Sequence, residues 1–177
     1  VLWPGQAKRL AACIDDPRTP ERIRHSLADM LRFRLLMIAA GYEDGNDAGS
    51  LRHASAFELA NGRLPDETAL CSQPTLSRFE NTPGPRALIR MARAMVTLYC
   101  VSFRQVPRRI TSCCRAAANQ FRLMLHTGAY WLLWSLRSLM PKRSIWRVAQ
   151  FDTLRLRLMK LATRVVALKT RVMLHLP

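Results

Sequence analysis

Acidic residues almost vanish from the second part of this 177-residue chain. Residues 1–80 hold 10 Lys/Arg against 11 Asp/Glu, whereas residues 81–177 hold 18 Lys/Arg and one acid, Asp152. Two-metal catalysis or a general acid/base pair needs two or three carboxylates close together, so the second part cannot supply either alone. Glycine is scarce, at seven, and none stands in the G-x-x-x-x-G-K order of a phosphate-binding loop. The five cysteines, Cys13, Cys71, Cys100, Cys113 and Cys114, are odd in number and include an adjacent pair, without a C-x-x-C. This excludes a disulfide framework and a zinc-finger array, and suits idle thiols in a reducing cytoplasm. The four histidines, His25, His53, His126 and His175, have no companion histidine at i+3 or i+4, so neither a metal pair nor a triad is expected. The longest apolar stretch, Leu123–Leu136, lies between Arg122 and Arg137 and contains His126. It is too short to cross a bilayer and reads as a core helix. The opening Val1-Leu-Trp-Pro-Gly5 has neither the basic start nor the apolar core of a secretory leader, and no Met. A non-standard start or a fragment is expected.

What remains is apolar and basic. Apolar residues make up 49%, enough for a core, and the net charge is +16. Such a charge predicts a densely anionic partner, either nucleic acid or an anionic membrane.

The periodicity predicts an all-α chain. Thr19 and Pro20 suit a helix start, followed by Ile23, Leu27, Met30, Leu31, Leu35 and Ile38 at steps of three and four. Gly41 suits its C-terminal cap. Short helices are expected at 50–53 and 56–60, and a longer one at 85–102, stopped before Pro107. A helix is expected over Arg115–Met140, ended by Pro141, and another over Ser144–Leu174. The best strand candidate, 106–111, is broken by Pro107 and Arg108-Arg109.

In the last predicted helix, Phe151, Leu154, Leu158, Leu161, Val165, Leu168 and Val172 form a heptad seam. Arg155, Arg157, Arg164, Lys169 and Arg171 flank it. The basic face is either solvated surface around a core seam or a face for the DNA backbone. Asp44-Gly-Asn46-Asp47 begins like a calcium loop, but Ala48 and Ser55 occupy positions that need oxygen ligands. It reads as a capping turn.

A short helix from Pro74, capped by Ser72 or Gln73, would present Gln73, Thr75, Ser77 and Arg78 to solvent. These types suit phosphate and groove contacts. Residues 56–64 could supply the supporting helix of a helix-turn-helix-like unit, although capped short helices of this kind are common.

Several stretches resemble the DDE transposases of bacterial insertion sequences, in the group that includes the 1380-type elements. They are Arg9-Leu-Ala-Ala-Cys-Ile-Asp-Asp-Pro-Arg18, His25-Ser-Leu-Ala-Asp-Met30, Met37-Ile-Ala-Ala-Gly-Tyr-Glu-Asp-Gly-Asn-Asp47, Cys71-Ser-Gln-Pro-Thr-Leu-Ser-Arg78 and Ser102-Phe-Arg-Gln-Val-Pro-Arg-Arg-Ile110. His126-Thr-Gly-Ala-Tyr-Trp131 and Gln150-Phe-Asp-Thr-Leu-Arg155 extend the likeness nearly to the end.

The resemblance implies Mg²⁺-dependent phosphodiester strand transfer on an RNase H-like sheet carrying three carboxylates. In the family, the first catalytic aspartate follows the segment resembling Val106–Arg109, and the catalytic glutamate shortly precedes the one resembling Thr111-Ser-Cys. Here Ile110 runs directly into Thr111. The resemblance therefore implies an N-terminal helical, DNA-binding region, 1–110, joined to a basic helical tail, 111–177, without the catalytic centre and its sheet. It implies no catalytic residue, no metal ligand and no cofactor in this chain, the Mg²⁺ belonging to the full-length family. It implies DNA contact through Gln73, Thr75, Ser77, Arg78, Arg108, Arg109, Arg155, Arg157 and Arg164. The expected partners are element ends or DNA in general, and intact transposase copies or a second copy of this chain. A bacterial cytoplasmic, nucleoid-associated location follows. Without a sheet, the apolar faces around Trp131, Trp134 and Leu154 should leave a sticky fold unless they re-pack on the N-terminal helices. A membrane-surface reading of Trp131, Trp134, Trp146 and the cationic helices is set aside, because the resemblance explains the same residues.

The carboxylate count makes a testable prediction: with Mg²⁺, the purified chain should neither cut nor join element-end DNA. Cleaved or joined product on a denaturing gel would overturn it.

Overall fold

The computed structural model describes residues 3–65, 68–101, 117–159, 164–167 and 172–175. It is predominantly helical. Among the described residues eight α-helices follow in order: α1 (Trp3–Ala11), α2 (Leu27–Ala39), α3 (Ala48–Leu51), α4 (Ser55–Ala60), α5 (Gln73–Asn81), α6 (Pro85–Val101), α7 (Ala117–Leu139) and α8 (Phe151–Leu154). The spacing left α1 unannounced. It buries Ala7, Leu10 and Ala11 and packs on α2 and α6.

Helix α2 is the central element. It starts later than Thr19 suggests, because Pro20–Arg22 forms only a 3₁₀ turn and Thr19 makes no side-chain cap. The working cap is Ser26, whose hydroxyl accepts the Asp29 N–H at 3.1 Å. At the other end Gly41 takes φ +94°. The Gly41 N–H reaches the Ile38 carbonyl and the Tyr42 N–H reaches that of Met37, both at 2.9 Å. This paired closure needs a left-handed residue, which glycine adopts without steric cost.

Along α2, Leu31, Phe33, Leu35 and Met37 are fully buried. So is Arg34, whose three guanidinium nitrogens all donate hydrogen bonds. Its Nε donates to Glu80 Oε1 of α5 at 2.5 Å, and its Nη atoms donate to the carbonyls of Tyr42, Glu43 and Asp44 at 2.5–3.1 Å. A buried charge is tolerable only when paired and hydrogen-bonded in this way.

The apolar faces of the second segment do re-pack on the first. Helix α7 lies on α2, α5 and α6, burying Phe121, Leu125, Ala129 and Leu133. Phe121 meets Phe79 edge-on at 5.5 Å between centroids. Gly128 permits the close approach to α2, since a Cβ there would stand 2.8 Å from Leu35 Cδ2. Leu154 is fully buried, and Trp131 packs against the core.

The expected helix over Ser144–Leu174 is corrected. Its span holds a 3₁₀ turn at Ile145–Arg147, then α8, a π-type turn at Arg155–Met159, and an antiparallel pair of β1 (Arg164–Ala167) with β2 (Val172–His175). Two physical reasons apply. Val165, Val166 and Val172 are β-branched and favour strands. The basic positions also lack acidic partners at i+4, so a long helix would stack like charges. The strand candidate at 106–111 lies outside the described residues.

Replacing Arg34 by Met should destabilise the protein by roughly 3–5 kcal/mol, because Glu80 and three carbonyls lose their buried donor. Adding Glu80→Gln should restore part of this. Urea unfolding of the two variants checks it, and an unchanged midpoint for Arg34→Met would contradict it.

Candidate nucleic-acid interface

The segment 16–25, before α2, is shaped by its own charges. Asp16 accepts from Arg18 Nε and Nη2, both at 2.7 Å. The Arg18 side chain holds the Asp16 carboxyl below its ordinary pKa. Arg18 Nη1 also donates to the His25 carbonyl at 3.0 Å, closing the loop. Arg63 ties down the far side through the Thr68 and Ala69 carbonyls at 2.8 and 3.1 Å. Its Nη2 lies 3.5 Å from His25 Nδ1.

These loops and α5 enclose a cavity of about 620 Å³. Among the described residues, five arginines line it, Arg18, Arg22, Arg24, Arg52 and Arg78, against one acid, Asp16, which Arg18 already engages. Arg22, Arg24 and Arg78 are exposed. Ser72 and Thr75, at the start of α5, add hydroxyls and share a hydrogen bond at 3.0 Å. Leu27, Met30 and Phe79 add an apolar wall. His25 also faces this space, with its pKa lowered first by burial and then by the Arg63 and Arg52 charges. The arrangement is suited to holding an anion.

The sequence-predicted site residues fall in different places. Thr75 and Arg78 line the cavity. Gln73 is half-buried and Ser77 exposed; both lie on α5 outside that lining. Arg155 pairs with Asp152 at 2.8 Å and lies over Gly41. Arg157 is exposed. Arg164 stands in β1 opposite His175. Arg108 and Arg109 lie outside the described residues. The supporting helix is also different from expectation, as α5 rests on α2, α3 and α7. The sequence reading missed Arg22, Arg24, His25 and Arg52. A cluster of Arg22, Arg24 and His25 after a proline turn was the available signal.

Acids gather elsewhere, around a cavity of about 540 Å³ lined by Glu43, Asp44, Asp47, Glu80, Arg34 and His126. Glu80 is committed to Arg34. Asp44 Oδ1 accepts the Asn46 N–H at 2.8 Å in a local Asx turn, while Asp47, at the start of α3, makes no side-chain cap. A guanidinium lines the same space. Among the described residues no three His, Cys, Asp or Glu could hold a metal ion together. Cys71 is buried, which pushes its thiol up to about 11 and leaves it protonated and unreactive at neutral pH. No helix among the described residues is long and apolar enough to cross a membrane.

A family profile described as "Transposase DDE domain group 1" matches residues 5–111 and 109–177. No curated protein and no solved structure matches the chain.

His25 gives this site a pH dependence. Its folded pKa lies below the ordinary 6.5, so on acidification the unfolded chain takes the proton first. The stability from neutral His25 is fully present above pH 6.5 and is lost as pH falls through the lower folded value. In His25→Gln, chemical unfolding should lose that contribution to the pH dependence. An equal slope in both proteins would contradict this.

Proposed function

The chain belongs to the transposase DDE domain group 1 family, and from that premise we propose that it is a transposase-derived DNA-binding protein without strand-transfer activity of its own. The carrying observation is the arginine-lined cavity beside α5, where Thr75 and Arg78 meet Arg22, Arg24 and Arg52. Phosphates dominate protein–DNA affinity and are held by such cations and hydroxyls. The same reading extends DNA contact to Gln73, Ser77, Arg108, Arg109, Arg155, Arg157 and Arg164. The loss of a catalytic centre between regions 1–110 and 111–177 is supported by two matched stretches that meet at 109–111. It is further supported by the single acid after Glu80. The location in this reading is the cytoplasm, on the nucleoid.

A second reading, a dominant-negative regulator of intact transposase copies, is favoured by one observation. Leu139, Ile145 and Val148, at and just beyond the end of α7, are 81%, 74% and 84% exposed. An apolar surface of this kind suits mixed multimers.

Gel shifts test both. Arg24→Ala and Arg78→Ala should each weaken DNA binding and lower the slope of log K against log salt by about 1. Unchanged binding by both variants would remove the cavity from the interface. Preference for terminal inverted repeats over scrambled duplex supports the regulator; equal, salt-sensitive binding leaves only the phosphate contribution.

A further inference from the structure

We propose that the arginine-lined cavity accepts a single unpaired nucleotide, with its phosphate on the arginines and its base against the apolar wall. This rests on the DNA-binding reading above and specifies what enters the site. A duplex is a convex rod that presents phosphates and keeps its bases stacked inside. It can lie along exposed Arg22, Arg24 and Arg78, but it cannot fill a concave space of about 620 Å³ with an apolar side. That volume falls in the range of small-ligand sites, roughly 300–1,000 Å³.

The lining carries both chemistries in one place. Leu27, Met30 and Phe79 line the apolar side, and the flat aromatic face of a base is the part of a nucleotide that proteins stack on side chains, its polar edge staying free. Arg52 supplies the inner cation. Its Nε is shielded from solvent and donates to no group among the described residues. A buried guanidinium nitrogen without an acceptor is costly; the one acid among the described residues that acts on neighbouring His25 is Asp29, and Arg32 and Arg63 already share it at 3.9 Å. A phosphate oxygen would supply the acceptor, and it would also favour protonation of His25, reversing the effect of its cationic neighbours.

The test uses the full chain and fluorescence anisotropy on three probes, with a fourth, a blunt duplex lengthened to match the phosphate count of the tailed one, as the control for added charge. The three are a blunt duplex, the same duplex ending in a three-nucleotide single-stranded tail, and a single strand. Inorganic phosphate and a deoxynucleoside 5′-monophosphate serve as competitors, with the His25 ring resonances followed by NMR. The tailed duplex should bind at least tenfold more tightly than the blunt one. The monophosphate should abolish that preference at concentrations where inorganic phosphate does not, and should raise the His25 pKa. Arg52→Met should remove the preference; Arg78→Gln, on the exposed face of α5, should reduce it and guards against misfolding of the first variant. Equal binding of tailed and blunt duplex, both weakened by Arg78→Gln, would overturn the proposal and leave DNA binding standing. Binding of no probe would overturn both. Inorganic phosphate competing as well as the monophosphate would reduce the cavity to a phosphate site and overturn the nucleotide assignment.

Discussion

A single buried guanidinium ties this bundle together. Arg34 sits on the central helix, where the neighbouring positions are filled by Leu31, Phe33, Leu35 and Met37. Its charge cannot be left there unpaired, because desolvation of an isolated ion exceeds what a small domain can tolerate. Three consecutive carbonyls after the Gly41 turn and the carboxylate of Glu80 satisfy it. That requirement sets where the chain goes after α2 and where α5 must dock. The glycine is part of the same arrangement, since its left-handed conformation aims residues 42–44 back at Arg34.

The position of α5 then determines the basic cavity. Because α5 is held at its C-terminal end by Glu80, its capping Ser72, with Thr75 in the first turn and Arg78 in the last, faces the loop before α2. That loop is closed by Arg18, which joins Asp16 to the His25 carbonyl. Some arginines are thus consumed as staples, and others line a space where Asp16 is the one acid among the described residues. Arg34, Arg18 and Arg63 are structural cations; Arg22, Arg24 and Arg78 are surface ones. This division matters more for function than the total of +16, because a staple already saturated by protein oxygens has little to offer a phosphate.

Much of this was legible in the order of residues. The periods of α2, α6 and α7 and the Gly41 cap follow from local rules of spacing and backbone conformation. The charge imbalance and the family likeness pointed toward DNA. The failures are specific. Pro20 suits a first helical turn and points to Thr19 as the start of α2, yet Ser26 provides the hydrogen-bonded cap. The helix over 144–174 looked sound because an alternation of three and four is compatible with a helix. Periodicity does not weigh valine clusters or unrelieved positive charge, and a strand pair won. Helix α1 was passed over because its apolar face is short and is stabilised by α2 and α6, which are remote in sequence.

By itself, the sequence determined the chemical inventory: one acid after Glu80, an excess of arginine, no metal-ligand spacing, and helices wherever apolar residues recur at three and four. Those properties are local or additive, so they can be read without knowing the fold. Only the tertiary structure decided which arginines are spent inside and which face a cavity. It also decided that α7 closes over α2, and that Arg52 and His25 share a site with Arg78. These outcomes depend on contacts between segments distant along the chain, and on burial, which sets whether a charge must be paired within the protein or is open to an outside anion.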